Sequence, residues 1–258
     1  MIITLAQLEV FLLILSRILG IFIQAPILST RLIPAYVKVA IGIWISIVLW
    51  FVVPLRGALP ADLLTFILAI VNEVIIGFLI GFICNLLFVA IQAAGDIMDL
   101  QMGMSIATIV SPTTGGVVSV VGLLAFVLAL AVFVAVDGHH LIFSSFHQSF
   151  RLLPLAAPVN ASGGKLITQL IELGRGLWLI AVQLAAPVVL LIFLSDFTFG
   201  IVSRVAPQVN VFMLGFQVKP SMGFMGLLLI MPLLVRYIIG LVGKMGDEML
   251  KLLMILKP

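Results

Sequence analysis

Residues 63–94 read LLTFILAIVNEVIIGFLIGFICNLLFVAIQAA, and Glu73 is the one charged side chain in this run. About 20 consecutive apolar residues are enough for a helix to cross a bilayer, so this run predicts a membrane helix. It is long for one span, and we therefore expect it to tilt, to break or to project beyond the lipid. Five more apolar segments lie at 8–28, 37–55, 117–136, 177–200 and 221–243. The pattern predicts an all-α, polytopic helical membrane protein with six spans.

The composition supports the same class. The 258 residues are 64% hydrophobic and 9% charged, whereas a soluble domain carries about 25% charged residues. The net charge of +3 is spread along the chain without a run of like charges, so we predict no nucleic-acid partner. The single cysteine, Cys84, excludes an internal disulfide. Between the apolar segments, the more polar stretches 137–176 and 196–219 are interpreted as connections.

No catalytic pattern is present in the sequence. It contains no nucleophile elbow, phosphate-binding loop or dinucleotide fingerprint, and we predict that the protein is not an enzyme and needs no cofactor. Asp137-Gly138-His139-His140, followed by His147, invites a metal site. Adjacent histidines point to different helix faces, however, and no HExxH pattern or cysteine cluster accompanies them. We interpret Asp137-Gly138 as a helix end and predict no bound metal.

Glu73 requires an explanation, because a charge at the bilayer centre costs about 2.5–3.5 kcal/mol on insertion scales. Glu73, Gly77 and Cys84 share one helix face, and Gly77 with Gly81 forms a small-xxx-small pair that lets another helix approach closely. Two interpretations stay open. The face is a protein-facing surface with a buried carboxylate, or it makes one intramolecular helix contact in which Glu73 pairs with an arginine of the same chain.

Asp96 and Asp99 precede an apolar stretch that cannot remain helical. The two carboxylates either line an aqueous vestibule or solvate a helix end. Residues 100–110 are too few to span a bilayer, and Pro112 and the Gly115-Gly116 pair interrupt any helix that follows. Non-helical backbone at membrane depth persists only inside protein or along a water-filled cavity. The alternative is an ordinary solvent-exposed loop. The apolar residues of this stretch are poorly suited to a loop in water.

We therefore predict that residues 102–116, here called the plug segment, form a deformable obstruction within a passage. Methionine is flexible and polarizable and can repack around whatever fills a gap. Threonine, serine and glycine add mobility without fixed charge. The residues assigned to this role are Met102, Gly103, Met104, Ile106, Ile109, Ser111, Pro112, Gly115 and Gly116.

Five stretches together resemble FliR, the flagellar member of an export-gate family shared with virulence type III secretion systems. They run in the family's order over nearly the whole chain, and the last is the most distinctive, with Arg204, Pro207, Gln208 and Asn210. The stretches are APILSTRLIPAYVKVAIG (25–42), NEVIIGFLIGF (72–82), AGDIMDLQMG (94–103), DGHHLI (137–142) and SDFTFGIVSRVAPQVNVFMLGFQVKP (195–220).

The resemblance implies one export-gate domain over 1–258, built of long helical hairpins. FliR-like proteins assemble with FliP-like and FliQ-like subunits, and we expect an FlhB-like subunit as a neighbour. The assembly lies in the bacterial inner membrane, in the flagellar basal body, and passes unfolded rod, hook and filament subunits through a conduit closed by the loop matching 102–116. Many apolar helices then contact neighbouring subunits as well as lipid, so the six-span topology stays open. The residues expected at helix or subunit contacts are Glu73, Gly77, Gly81, Asp137, Arg204, Pro207, Gln208 and Asn210.

Two other functions compete with an export gate. A small-molecule secondary transporter also uses broken helices near the membrane midplane, but the two halves of this sequence show no repeat. An intramembrane hydrolase would need a nucleophile or a metal set that the sequence does not offer.

Overall fold

The computed structural model describes residues 4–26, 33–53, 60, 62–105, 119–157 and 164–257. The regular secondary structure of these residues is helical throughout, so the predicted all-α class is confirmed. In chain order the helices are α1 (Leu5–Gln24), α2 (Ala35–Trp50), α3 (Leu63–Met102), α4 (Val120–Ala135), α5 (Gly138–Leu152), α6 (Gly164–Val205) and α7 (Val211–Leu256).

Three of these helices are much longer than the apolar segments that predicted them. α3, α6 and α7 contain 40, 42 and 46 residues. Helix α3 therefore continues unbroken to Met102, past both aspartates. The interpretation of 137–176 and 196–219 as connections is largely wrong, because α5 and the start of α6 occupy the first stretch and only residues 206–210 of the second lie outside helices.

Proline does not always end a helix in this protein. Pro187 lies inside α6, and Pro220 and Pro232 lie inside α7. Helices in an apolar setting tolerate proline because neighbouring groups satisfy the freed backbone carbonyl. A charge or a proline near the end of an apolar run is therefore weak evidence for a connection.

The predicted count of six membrane spans is not reached among the residues that the structure describes. Four helices, α1, α3, α6 and α7, are long and apolar enough to cross a membrane, and the interrupted pair α4 and α5 raises the count to five if it acts as one span. Helix α2 has 16 residues and is about 24 Å long at 1.5 Å per residue, short of the ~30 Å hydrocarbon core. These lengths and compositions are those of a membrane protein.

The first of two compact units comprises Met1–Leu86, Asp137–Leu173 and Val242–Pro258. Helix α1 begins with a capping box, in which Thr4 and Gln7 satisfy each other's backbone N–H. Cys84 of α3 is fully buried in this unit. The buried residues of α1 recur every three or four positions, the period of one helix face: Val10, Leu13, Ile14, Arg17, Ile18 and Ile21.

The second compact unit comprises Leu87–Val136 and Gly174–Leu241. Phe88 of α3 is buried between two aromatic rings of α4, with ring centroids 5.9 Å from Phe126 and 5.4 Å from Phe133, both edge-to-face. Such pairs add about 0.5–1.5 kcal/mol beyond the area they bury. The expectation of a single domain over 1–258 stays a prediction.

Large apolar side chains remain exposed on α6 and α7. Within the most apolar 18-residue stretch of α6 only 28% of the residues are buried, and within that of α7 only 33% are buried. Along α6 the more than half-exposed apolar residues extend from Ile167 to Val205, and they include Ile171, Trp178, Val182, Leu190, Phe193 and Phe197. These faces require a covering of lipid or of other protein chains.

Candidate functional site

The buried carboxylate of Glu73 pairs with Arg17 of α1. Arg17 Nε donates to Glu73 Oε2, and both side chains are only 1% exposed. Of the two interpretations kept open for Glu73, the structure shows the pairing with an arginine of the same chain. A fully buried charge is tolerated only when it is paired and hydrogen-bonded, and both conditions hold here.

The remaining polar atoms of this ion pair reach the segment at the end of α5. Arg17 Nη1 donates to Ser149 Oγ at 3.2 Å, and Nη2 donates to the carbonyl oxygen of Leu153 at 3.1 Å. The Arg17 guanidinium also lies 4.3 Å from the centre of the Phe150 ring, within cation–π range. The backbone N–H of Ala156, a residue with a left-handed φ of 58°, donates to Glu73 Oε1 at 3.1 Å. The pair therefore joins α1, α3 and residues 149–156.

The predicted glycines of α3 lie where this helix meets α1. A Cβ built on Gly77 would collide with the carbonyl oxygen of Arg17, and one on Gly81 would lie 2.6 Å from the carbonyl oxygen of Ile21. Gly20 of α1 faces the same contact from the other side, where a Cβ would meet the α3 backbone. Asn85 and Gln24 add a side-chain hydrogen bond of 3.0 Å. Side chains no larger than a hydrogen atom let the two backbones touch, as at small-residue contacts between membrane helices.

Asp137 lies between α4 and α5 and interrupts the helical conformation of the backbone. Its φ of 56° is left-handed, and its side chain does not cap α5. Donor atoms of Asp137, His139 and His140 all lie within 4.8 Å of one another, and His139 Nε2 is 3.9 Å from Asp137 Oδ1. Asp137 and His140 are exposed. The arrangement offers three metal donors from one turn of chain, and the expectation that no metal binds stays a prediction.

Helix α3 ends at the start of the plug segment. Gly103 has a φ of +77°, and the N–H of Met104 donates to the carbonyl oxygen of Asp99 at 3.2 Å. This is the glycine-terminated Schellman ending of a helix. Met102 is fully buried and packs on α7, where a Cβ at Gly223 would lie 2.7 Å from Met102 Sδ. The other predicted plug residues, Ile106, Ile109, Ser111, Pro112, Gly115 and Gly116, lie outside the described residues.

Asp99 is the residue whose role the sequence did not reveal. It is 2% exposed, and its Oδ2 accepts from Ser105 Oγ at 3.0 Å while its Oδ1 accepts from the backbone N–H of Val121 at 3.3 Å. Asp96 is exposed. The difference between the two aspartates had a signal in the sequence, because Asp99 lies four residues before Gly103, where a helix-ending glycine turns the chain back.

A cleft of about 340 Å³ lies beside the buried end of the plug segment. Lys219 Nζ and Asp196 Oδ1 form an ion pair of 2.6 Å within an otherwise mostly apolar lining. The volume lies at the lower end of the range for small-molecule pockets. The residues that line it are Met102, Gly103, Asp196, Phe199, Val211, Phe212, Gly215, Phe216 and Lys219.

The distinctive stretch at 195–220 forms the end of α6, the start of α7 and the turn between them. Arg204, Pro207 and Gln208 are exposed. Asn210 is exposed as well, and its Oδ1 accepts from the backbone N–H of Met213 at 3.2 Å, so that it caps α7. The structure thus places these four predicted residues at one turn, with three side chains available to a neighbour.

The sequence relationships agree with this all-helical membrane architecture. Residues 8–245 match the family model described as bacterial export proteins, family 1. The chain belongs to this family. The resemblance to the FliR group inferred from the five stretches is thereby confirmed.

Members of this export family from several bacteria are similar over most of their length. The chain is 31% identical over 222 residues to the flagellar biosynthetic protein FliR of Bacillus subtilis, covering 86% of this chain and 85% of that protein. It is 30% identical over 224 residues to the flagellar biosynthetic protein FliR of Escherichia coli, covering 86% and 84%. It is also 31% identical over 212 residues to the Yop proteins translocation protein T of Yersinia pestis, covering 81% and 80%.

Proposed function

We propose that this export-family member is a pore-forming structural subunit of the flagellar type III protein export gate in the bacterial inner membrane. The observation that carries the proposal is the uncovered apolar surface of α6 and α7 in a chain of this family. Exposed apolar residues run from Ile167 to Val205 on α6, which is about 57 Å of helix. The hydrocarbon core of a bilayer is only ~30 Å thick, so lipid cannot cover the whole face.

Neighbouring export-gate subunits cover the remainder. The partners are FliP-like and FliQ-like subunits, with an FlhB-like subunit as a further neighbour, and membrane lipid covers what they leave. The turn carrying Arg204, Pro207 and Gln208 contacts one of them. The subunit performs no catalysis and binds no cofactor, and it belongs to the flagellar basal body.

The plug segment closes the conduit until a substrate arrives. Met102 is its fixed end, because this side chain is buried against α7. The apolar residues that follow fill the passage and withdraw when an unfolded rod, hook or filament subunit enters. Methionine, glycine, threonine and serine suit such a segment because they repack without placing a fixed charge in the passage.

Assembly is tested by co-expressing the chain with FliP-like and FliQ-like subunits and measuring the native mass of the purified particle. A large hetero-oligomer containing this chain supports the proposal. A chain that purifies as a stable monomer or dimer, with its partners left behind, contradicts it.

Closure is tested by deleting residues 106–116 and, in a second variant, by replacing them with a Gly/Ser linker of equal length. Both variants are expected to co-purify with the partners and to make vesicles leak ions. Lys251→Met, at an exposed ion pair of α7, is the control and should not leak. Conductance that equals the wild-type value in both plug variants contradicts the role of the plug segment.

One observation favours a second candidate, a small-molecule secondary transporter. The cleft beside Met102 has the size of a small-ligand pocket and contains a polar pair. A transporter is expected to be stable without partner subunits, so the mass measurement separates the two functions.

A further inference from the structure

The two hydrogen bonds of Asp99 join the chain on either side of residues 106–118. Ser105 is the last described residue before that stretch and Val121 lies just after it, and each donates to one oxygen of the same carboxylate. We infer that Asp99 is a positioning residue that holds the end of α3 against the start of α4. In doing so it sets the distance between Ser105 and Val121, the ends between which most of the plug segment lies in the sequence, and the consequence for closure rests on the proposed function.

Close packing of glycines brings the start of α4 to Asp99. A Cβ built on Gly95 of α3 would lie only 2.6 Å from the Cα of Gly122 in α4. Asp99 follows Gly95 by four residues and therefore lies on the same face of α3. The contact leaves the first turn of α4 within reach of a carboxylate, whose short side chain has little freedom to lie elsewhere.

The first turn of α4 also attracts a negative charge. The N-terminus of a helix carries unpaired N–H groups and the positive end of the macrodipole. Ser119 Oγ accepts from the N–H of Gly122 at 2.8 Å, and Asp99 accepts from the neighbouring N–H of Val121. The start of α4 is therefore capped once from its own chain segment and once from α3. A buried carboxylate without such partners would be strongly disfavoured.

Asp96 provides a matched comparison within the same helix. It lies three residues before Asp99 and is exposed, and its side chain makes no hydrogen bond within the described part of the chain. The two aspartates carry the same charge near the same helix end. Asp96 Oδ1 also lies against Gly122 of α4, but of the two aspartates only Asp99 accepts a hydrogen bond from α4. Removal of each carboxylate therefore separates the effect of the hydrogen bonds from the effect of the charge.

The link is tested by the dipolar broadening between two nitroxide labels. Cysteines are placed at Met104 and Val120 in a Cys84→Ala background, in the chain co-purified with its partners. We expect strong broadening in this doubly labelled chain, here called the parent, and in its Asp96→Ala variant. In Asp99→Ala, which loses both bonds, the broadening should fall to the level of the singly labelled controls. Each bond to a charged group shifts the equilibrium between linked and separated ends on the order of tenfold or more.

Two milder variants guard against loss of folding in Asp99→Ala. Asp99→Asn retains one acceptor for Val121 and one donor for Ser105, and it should keep most of the broadening. Ser105→Ala removes the Ser105 bond to Asp99, leaves the Val121 bond in place and should lose part of the broadening. Broadening that stays at the parental level in Asp99→Ala, or in Ser105→Ala if the alanine variant at 99 does not fold, overturns the inference.

Ion conductance of the same samples separates this inference from the proposed function. Broadening lost together with a leak in Asp99→Ala supports both. Broadening lost without a leak supports the link but contradicts the plug. Unchanged broadening in Asp99→Ala overturns the link whatever the conductance is. A leak in that case would have its origin in another part of the chain.

Discussion

Gly77 of α3 and Arg17 of α1 are in direct backbone contact, so that a Cβ at position 77 would collide with the carbonyl oxygen of Arg17. The side chain of the same arginine forms the buried ion pair with Glu73, one helical turn before Gly77. The small residue and the charged one are therefore parts of one contact. The glycine allows the approach, and the approach lets the two charges meet without water.

The contact predicts that Gly77→Ala separates α1 from α3. Overpacking of a tight contact costs about 1–3 kcal/mol, and the free energy of unfolding in detergent should fall by that amount. Gly174→Ala in α6 is the control, because nothing lies within 4 Å of its Cβ position. That variant should gain up to about 1 kcal/mol from helix propensity. Equal stability of the two variants would contradict the assignment.

The buried pair predicts a large asymmetry between single and double substitutions. Arg17→Met leaves Glu73 buried without its counter-charge and should lower the free energy of unfolding by about 3–5 kcal/mol. Adding Glu73→Leu should restore part of the loss. Lys251→Met, which breaks an exposed pair with Glu248, should cost less than about 1 kcal/mol. The check is chemical denaturation of all four proteins in one detergent, and a double variant less stable than Arg17→Met would count against the ion pair.

The left-handed backbone at Asp137 predicts opposite effects for two substitutions. Glycine adopts a φ of 56° freely, whereas a β-branched residue there costs roughly 1–2 kcal/mol. Asp137→Gly should therefore retain wild-type stability and Asp137→Val should lose it. His140→Val, on the exposed first turn of α5, is the control and should change stability by less than about 0.5 kcal/mol. If Asp137→Gly proves as damaging as Asp137→Val, the side chain matters more than the backbone.

Chelation should leave the protein intact. Asp137, His139 and His140 come from one turn of chain, so a metal held there would not join separate helices. We expect the thermal unfolding midpoint and the native mass of the complex to stay the same in EDTA. A drop in either, reversed by added Zn²⁺ and absent in His139→Ala, would show that a metal belongs to the structure.

Two substitutions in the turn between α6 and α7 should distinguish an effect on folding from an effect on assembly. Asn210→Ala removes the cap of α7 and should cost the isolated chain about 1 kcal/mol. Gln208→Ala removes an exposed side chain and should leave the isolated chain unchanged while lowering the yield of the complex with FliP-like and FliQ-like subunits. Unchanged yield for Gln208→Ala would place the subunit contact elsewhere.

The sequence predicted the helices better than the connections between them. A continuous apolar run is enough to identify α3, but charges and prolines did not end α6 or α7, because helices in apolar surroundings tolerate both. The polar stretch after Asp137 contains the hydrogen-bonding partners of Arg17. The prediction that this stretch is a polar connection gave no reason to place Ser149 or Leu153 beside a buried charge.

The contrast between Asp96 and Asp99 shows a second limit of sequence reasoning. Spacing puts both residues near a helix end, and both side chains lie against the first turn of α4. Which of them accepts a hydrogen bond from that turn depends on how Gly95 packs on Gly122. That information lies in two glycines separated by 27 positions. The local pattern distinguishes Asp99 by its distance from Gly103, but it does not show that α4 lies nearby. The pairing of Glu73 with an arginine, in contrast, could be anticipated because a buried charge demands a partner.

Cys84 gives the molecule a built-in reporter. It is the only thiol of the chain, it is 1% exposed, and it lies between Gly81 and Asn85, which both contact α1. A maleimide can reach the buried sulfur only when the packing around it opens. The rate of alkylation in native membranes therefore measures how often the core around this part of α3 opens, with no engineered label and before any partner is removed.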